Sequence, residues 1–213
     1  VDLFDHALVP RFLQLAEDAV LLRGFALQNE ASLLRDLKFV IEQSPFRHMV
    51  TPGGFTMSVA MTNCGKLGWV TDRKGYRYDA LDTYTGKAWL VMPVSFLALA
   101  TKAAVEAGFA DFVPDACLIN KYKVAARMSL HQDKNERDFN QPIVSVSLGV
   151  PATFLFGGFE RADKTLKIPL SHGDVVVWGG RARLRYHGVL PLKEEHHPAF
   201  GEARINLTFR KAG

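Results

Sequence analysis

IVSVSLGV, residues 143–150, sets Val144, Val146 and Leu148 in alternation with Ser145, Ser147 and Gly149. A period of two belongs to a strand with unlike faces. Runs of the same kind recur from residue 115 onward: ACLINKY, SLHQD, ATFLFGGF, KIPLSH, DVVVW, LRYHGV and RINLTFR, each bounded by turn residues. With IVSVSLGV they make about eight short strands, spacing that predicts a jelly roll, or double-stranded β-helix, over residues 115–213.

Upstream, Leu33, Leu34, Leu37, Val40 and Ile41 form one apolar stripe, with Asn29 placed to cap it and Ser44-Pro45 to stop it. A second helix is predicted over 93–107, with Pro93 in its first turn and Gly108 beyond its end. Residues 46–92 are rich in Gly, Thr and aromatics without helical period, so short strands and loops are expected there. No internal repeat or long linker divides the chain. The expectation is one domain, 1–213, mainly β (α+β), in which residues 1–114 elaborate a β core with supporting helices.

A chain of 213 residues, 48% of them hydrophobic, can bury one substantial core. Cys64 and Cys117 lie far apart without a CxxC partner, which argues against a disulfide framework or zinc ribbon and for a reducing cytoplasm. No apolar run reaches membrane-spanning length, and VDLFDHALVPRF lacks the basic-then-apolar layout of a signal peptide. A formal charge of +4 favours polyanionic partners only mildly.

In SLHQDKN, residues 129–135, His131 and Asp133 are two apart and share a face if the strand runs through both. Such a pair is either a surface hydrogen bond or two ligands of a metal. His187 in LRYHGV offers a third ligand, and two imidazoles with one carboxylate form the open-sided set suited to Fe(II) and oxygen. Zinc hydrolases use the same residue types, but their HExxH spacing belongs to a helix. His48, His172, His196 and His197 sit in turn-like contexts and are expected in solvent, and His6 lies near a terminus.

RINLTFR, residues 204–210, puts Arg204, Asn206, Thr208 and Arg210 on one face and Ile205, Leu207 and Phe209 on the other. Either this is a solvated strand, or its polar face lines a cavity and offers two guanidinium forks for carboxylates. At ~3.3 Å per residue the two arginines start about 20 Å apart, which suits the two ends of a small diacid better than one carboxylate. Asn120 and Tyr122, also two apart, either hydrogen-bond within the sheet or supply neutral donors nearby.

These features together resemble the iron- and 2-oxoglutarate-dependent dioxygenases, and within them the AlkB family of alkylated nucleic-acid demethylases. The likeness runs from about residue 44 to the end through SPFRHMVTPGGFTMSVAMTNCGKLGW, DACLINKY, SLHQDK, PIVSVSLG, GDVVVWGG and NLTFR. The family pattern HxD…H…RxNxxxR falls on His131, Asp133, His187, Arg204, Asn206 and Arg210. The resemblance implies a single catalytic domain with an N-terminal nucleotide-recognition lid. It implies Fe(II) on His131, Asp133 and His187, with 2-oxoglutarate and O2 as co-substrates. Arg204 would grip the distal carboxylate with Asn120 and Tyr122 assisting, and Asn206 and Arg210 would complete that pocket. The implied reaction is oxidative demethylation of 1-methyladenine and 3-methylcytosine in single-stranded DNA, yielding formaldehyde, succinate and CO2, by a cytoplasmic monomer. RNA or a substrate other than nucleic acid is the alternative for the same iron chemistry.

Trp69 and Tyr76, in LGWVTDRKGYRY, match the family's lid, with Trp69 implied to stack on a flipped base against His131; their other reading is aromatic core. Thr51, Met57, Ser58 and Met61 match it too, and Lys134 and Arg161 match phosphate-facing positions. Arg73, Lys74, Arg77 and Arg127 are further phosphate candidates or a solvated basic face. The chain departs from the family at HQDKNE, where Asn135 replaces an Asp that contacts the exocyclic amino group of the base, and at Phe55, which replaces a Tyr.

Overall fold

The structure is a computed structural model that describes residues 11–213, so His6 lies outside the described residues. In chain order the first elements are β1 (Phe12–Ala16), β2 (Ala19–Leu22), α1 (Glu30–Gln43), β3 (Arg47–Val50), β4 (Thr56–Gly65), β5 (Gly68–Asp72), β6 (Gly75–Asp79) and α2 (Val94–Glu106). The strands of the second half are β7 (Ala116–Tyr122), β8 (Met128–His131), β9 (Ile143–Gly149), β10 (Ala152–Phe156), β11 (Leu166–Leu170), β12 (Val175–Trp178), β13 (His187–Val189) and β14 (Arg204–Arg210).

Eight strands form one sheet in the order β1-β2-β12-β9-β14-β7-β4-β3, and four form a second in the order β11-β10-β13-β8. All named strand pairs are antiparallel. The two sheets face each other as the jelly roll expected from 115–213, and α1 and α2 brace the outer face of the larger one. The predicted helices are present. Pro93 stands at the N-cap of the second rather than inside its first turn, and Asn29 makes no side-chain cap bond at the first.

A difference lies at the N-terminal end. Residues 12–22, for which no strand is expected from periodicity, form the β1–β2 hairpin and extend the large sheet beyond β12. The run AVLL of β2 is buried on both sides, so it shows no alternation, and its strand character comes from pairing Ala19–Leu22 with Trp178–Val175.

The alternation of IVSVSLGV and RINLTFR has a physical meaning that differs from inside against outside, because every residue of β9 and β14 is buried. Val144, Val146, Leu148, Ile205, Leu207 and Phe209 pack under the helices with Leu33, Leu37, Phe96 and Leu99. The opposite, polar faces look into the space between the two sheets. Phe96 meets Phe209 edge to face, with centroids 6.0 Å apart. Between the sheets, Phe154, Phe156, Ile168 and Leu170 from β10 and β11 pack with Leu21, Val176 and Trp178. No helix among the described residues is long and apolar enough to cross a membrane.

Candidate active site

His131 and His187 meet because β8 and β13 pair in register with His131 opposite His187, which brings their rings to 4.4 Å between centroids. That approach needs the glycine beside them: a Cβ on Gly188 would fall 2.7 Å from the Met128 carbonyl oxygen. Asp133 completes the group, and one ligand atom from each residue lies within 4.8 Å of the others. Asp133 is not on the strand, however. β8 ends at His131, and Asp133 belongs to the irregular stretch 132–142 that follows, so the shared face expected of an unbroken strand is not what brings the carboxylate in. Side chains hold it there. Arg210 donates from Nε and Nη2 to Asp133 Oδ2, at 2.9 and 2.6 Å.

Burial pushes the Asp133 carboxyl up, but Arg210 and the two imidazoles outweigh it and hold it well below the usual carboxylate range. Burial and the neighbouring His131 push His187 down to about 3, so its imidazole is neutral and free to bind metal at neutral pH. Both shifts act on stability in one direction. Between pH ~6.5 and about 3 the unfolded chain takes up a proton at His187 that the folded chain refuses, and below pH ~4 the same holds for Asp133. Stability therefore falls as pH falls. The melting temperature of the metal-free protein is expected to drop steadily from pH 7 to 5, with His187 contributing at most ~1.4 kcal/mol per pH unit. A His187→Asn variant should show a flatter profile in the same melts.

The three residues lie in a cavity of about 580 Å³ between the sheets, which the polar face of β14 also lines through Arg204, Asn206, Thr208 and Arg210. The two arginines differ. Arg210 is already compensated by Asp133, with Glu136 Oε1 3.4 Å from its Nε. Of the two guanidinium groups expected to meet a diacid, Arg204 is the one that keeps side-chain donors without a partner. Buried completely, it has Nη2 on Ser147 Oγ at 2.9 Å and its guanidinium 5.0 Å from the Tyr122 ring centroid. Its Nε and Nη1 have no partner, nor does Asn120 Oδ1 or Trp178 Nε1. Every buried side-chain polar atom left without a partner among the described residues thus belongs to a residue lining this one cavity. Asn120 Oδ1 is an acceptor, whereas the Arg204 nitrogens are buried donors that require one, and a carboxylate of a small diacid fits them.

Asn120 and Tyr122 on β7 lie directly opposite Asn206 and Arg204 on β14, and Asn120 Nδ2 donates to Asn206 Oδ1 at 3.4 Å. Around the mouth, β5 and β6 pair only with each other, as a hairpin docked by buried Asn63, whose side chain makes two 3.0 Å bonds to the Trp69 backbone. On that hairpin Trp69 stacks on Tyr76 at 5.7 Å, and its indole N–H donates to Asn135 Oδ1 at 3.4 Å. Thr51, Met57, Ser58, Met61, Trp69, Tyr76, Lys134, Asn135 and Arg161 all line the same cavity. Met61 is fully buried, so it belongs to the floor. Arg127 lines it as well. Arg77 is committed to Asp72 and Asp79 on its own hairpin, while Arg73 and Lys74 stand exposed at the tip. His172 is not solvated as expected: it binds Glu30 at 3.0 Å, accepts from the Gly149 N–H at 2.9 Å and stacks on His197. Glu136, Arg183 and Tyr78 escaped the sequence reading, since nothing local marks the partners of a buried charge.

A family model described as the 2OG-Fe(II) oxygenase superfamily matches residues 18–210. The chain is 61% identical over 198 residues to the alpha-ketoglutarate-dependent dioxygenase AlkB of Salmonella typhimurium, covering 93% of this chain and 92% of that protein. It is 57% identical to the protein of the same name from Escherichia coli, covering 100% and 98%. The chain is an AlkB-type member of the 2OG-Fe(II) oxygenase superfamily. A solved structure described as that of OsALKBH1 superposes with a TM-score of 0.80 at 27% identity, covering 94% of this chain and 99% of that one. As a superfamily member the protein is a dioxygenase that uses Fe(II), 2-oxoglutarate and O2, and the His131, Asp133 and His187 cluster fits iron.

Proposed function

We propose that this protein oxidatively demethylates N-alkylated bases, 1-methyladenine and 3-methylcytosine, in single-stranded DNA. The observation that carries the proposal is the His131–Asp133–His187 group in a cavity whose wall holds the unpaired Arg204 guanidinium and whose mouth is framed by stacked Trp69 and Tyr76. His131, Asp133 and His187 would hold Fe(II), which with 2-oxoglutarate and O2 supplies oxidation of an N-methyl group and releases succinate, CO2 and formaldehyde.

Arg204 binds the distal carboxylate of 2-oxoglutarate, with Asn120, Tyr122 and Asn206 completing the pocket. Arg210 acts on the same site by holding Asp133. Trp69 and Tyr76 hold the flipped base, and Thr51, Met61, Lys134 and Arg161 hold its flanks and phosphates. Single strands are favoured because extracting a base from a duplex costs unpairing and unstacking. Cys64 and Cys117, free and cross-strand neighbours in the core, suit a reducing cytoplasm. The protein acts there as a monomer with one catalytic domain.

The test is mass spectrometry of a 3-methylcytosine oligonucleotide with Fe(II), 2-oxoglutarate and air. Loss of a methylene unit that depends on all three is expected. Turnover of 2-oxoglutarate stimulated by methylated RNA alone would move the reading to RNA.

Asn135 bears on base choice. Its Oδ1 accepts from the Trp69 indole N–H, and its amide NH2 can only donate where either oxygen of the family's Asp would accept. Relative turnover of 1-methyladenine over 3-methylcytosine should rise about tenfold in Asn135→Asp, the scale of one hydrogen bond to a charged group. Competition between matched oligonucleotides measures it, and an unchanged ratio would clear Asn135 of the effect.

A further inference from the structure

Asp133 stands on no regular element, so something other than a strand ladder must keep its carboxylate in register with two imidazoles that are on strands. A buried polar network does this, and Glu136 is at its centre. The Glu136 side chain is 2% exposed. Its Oε2 accepts from Arg183 Nη2 at 2.9 Å, its Oε1 accepts from the Tyr78 hydroxyl at 2.5 Å, and Arg210 Nε stands 3.4 Å from Oε1. Arg183, also 2% exposed, reaches both ends of the irregular stretch, donating to the Asp133 carbonyl at 2.7 Å and the Gln141 carbonyl at 3.1 Å.

Two carboxylates and two guanidinium groups are thereby interleaved: Arg183, Glu136, Arg210, Asp133. The charges balance, so none is buried alone. Arg210 faces a carboxylate on each side. Arg210 takes Asp133 Oδ2, which also lies 3.7 Å from His187 Nε2, and Oδ1 lies 3.7 Å from His131 Nε2.

We infer that Glu136 is a positioning residue for the metal site, acting through Arg210 and Arg183 to set the orientation of Asp133. The inference rests on the reading of His131, Asp133 and His187 as the metal ligands. Partners that orient a ligand in this way typically change metal affinity by about 10–100-fold when removed. Glu136→Gln keeps the shape but loses the charge, and its NH2 must face one of three donors. Tyr78→Phe keeps both charges and deletes only the phenol O–H.

The experiment is anaerobic titration of Fe(II) into protein with 2-oxoglutarate, followed by the visible charge-transfer band of the complex and without any nucleic acid. Glu136→Gln should bind Fe(II) about 10–100-fold more weakly with a displaced band, and Tyr78→Phe should show a smaller loss with a displacement of the same sign. A lower melting temperature with affinity and band unmoved in Glu136→Gln would make the role structural and overturn the inference. Where that variant does not fold, the same unmoved result in Tyr78→Phe overturns it. Wild-type protein that bound no Fe(II) would overturn the ligand set and this inference together, so the two failures are distinguishable.

Discussion

Replacing His131 with alanine is expected to abolish oxidation of 2-oxoglutarate while leaving the fold intact. Of the three candidate ligands it is the one that separates chemistry from stability. The His131 side chain is 37% exposed, against 12% for Asp133 and 6% for His187. Removing it opens no sealed cavity and strands no charge. Asp133→Ala would instead leave the buried Arg210 guanidinium with Glu136 alone, a change that costs about 3–5 kcal/mol in comparable buried pairs. Losing a direct ligand should exceed the roughly 10–100-fold effect of losing an outer partner, so turnover should fall more than a hundredfold. Succinate release at saturating Fe(II), read beside the melting temperature, checks both halves. Turnover near wild type would remove His131 from the ligand set.

Arg204→Met is expected to raise the KM for 2-oxoglutarate by roughly 30-fold to several thousandfold, the equivalent of about 2–5 kcal/mol for truncating one side of a buried charge pair. Lysine should rescue little, because one ammonium cannot reproduce a planar fork whose Nη2 is already on Ser147. Stability should move the other way. Without ligand, the wild type buries a guanidinium that burial pushes down in pKa and that lacks partners at Nε and Nη1. Methionine of similar length removes that charge, so the ligand-free variant should melt no lower than wild type, whereas 2-oxoglutarate should stabilise only the wild type. Equal thermal shifts by 2-oxoglutarate in both proteins would show that another group holds the diacid.

Much of the architecture was legible because it is written in short-range periodicity. The alternation in 143–150 and 204–210, the stripe from Leu33 to Ile41, and Gly108 after the second helix each depend on a handful of neighbouring residues. The β1–β2 hairpin was not legible, since AVLL packs on both faces and carries no period. Nor was the unlike status of the two arginines: on the strand they are equivalent, and only the pairing of one with Asp133 and Glu136 separates them.

By itself the sequence determined which residues share a face along β9 and β14, and that two imidazoles, a carboxylate and two guanidinium groups were available to one jelly roll. Tertiary structure alone decided that the polar faces turn into the cavity between the sheets rather than out to bulk solvent, that Asp133 leaves its strand, and that Glu136, Arg183 and Tyr78 hold it. Side-chain direction follows from backbone geometry over two residues, whereas the partner of a buried charge is chosen by pairing across the fold: Arg183 and Glu136 are 47 positions apart, and Tyr78 and Glu136 are 58.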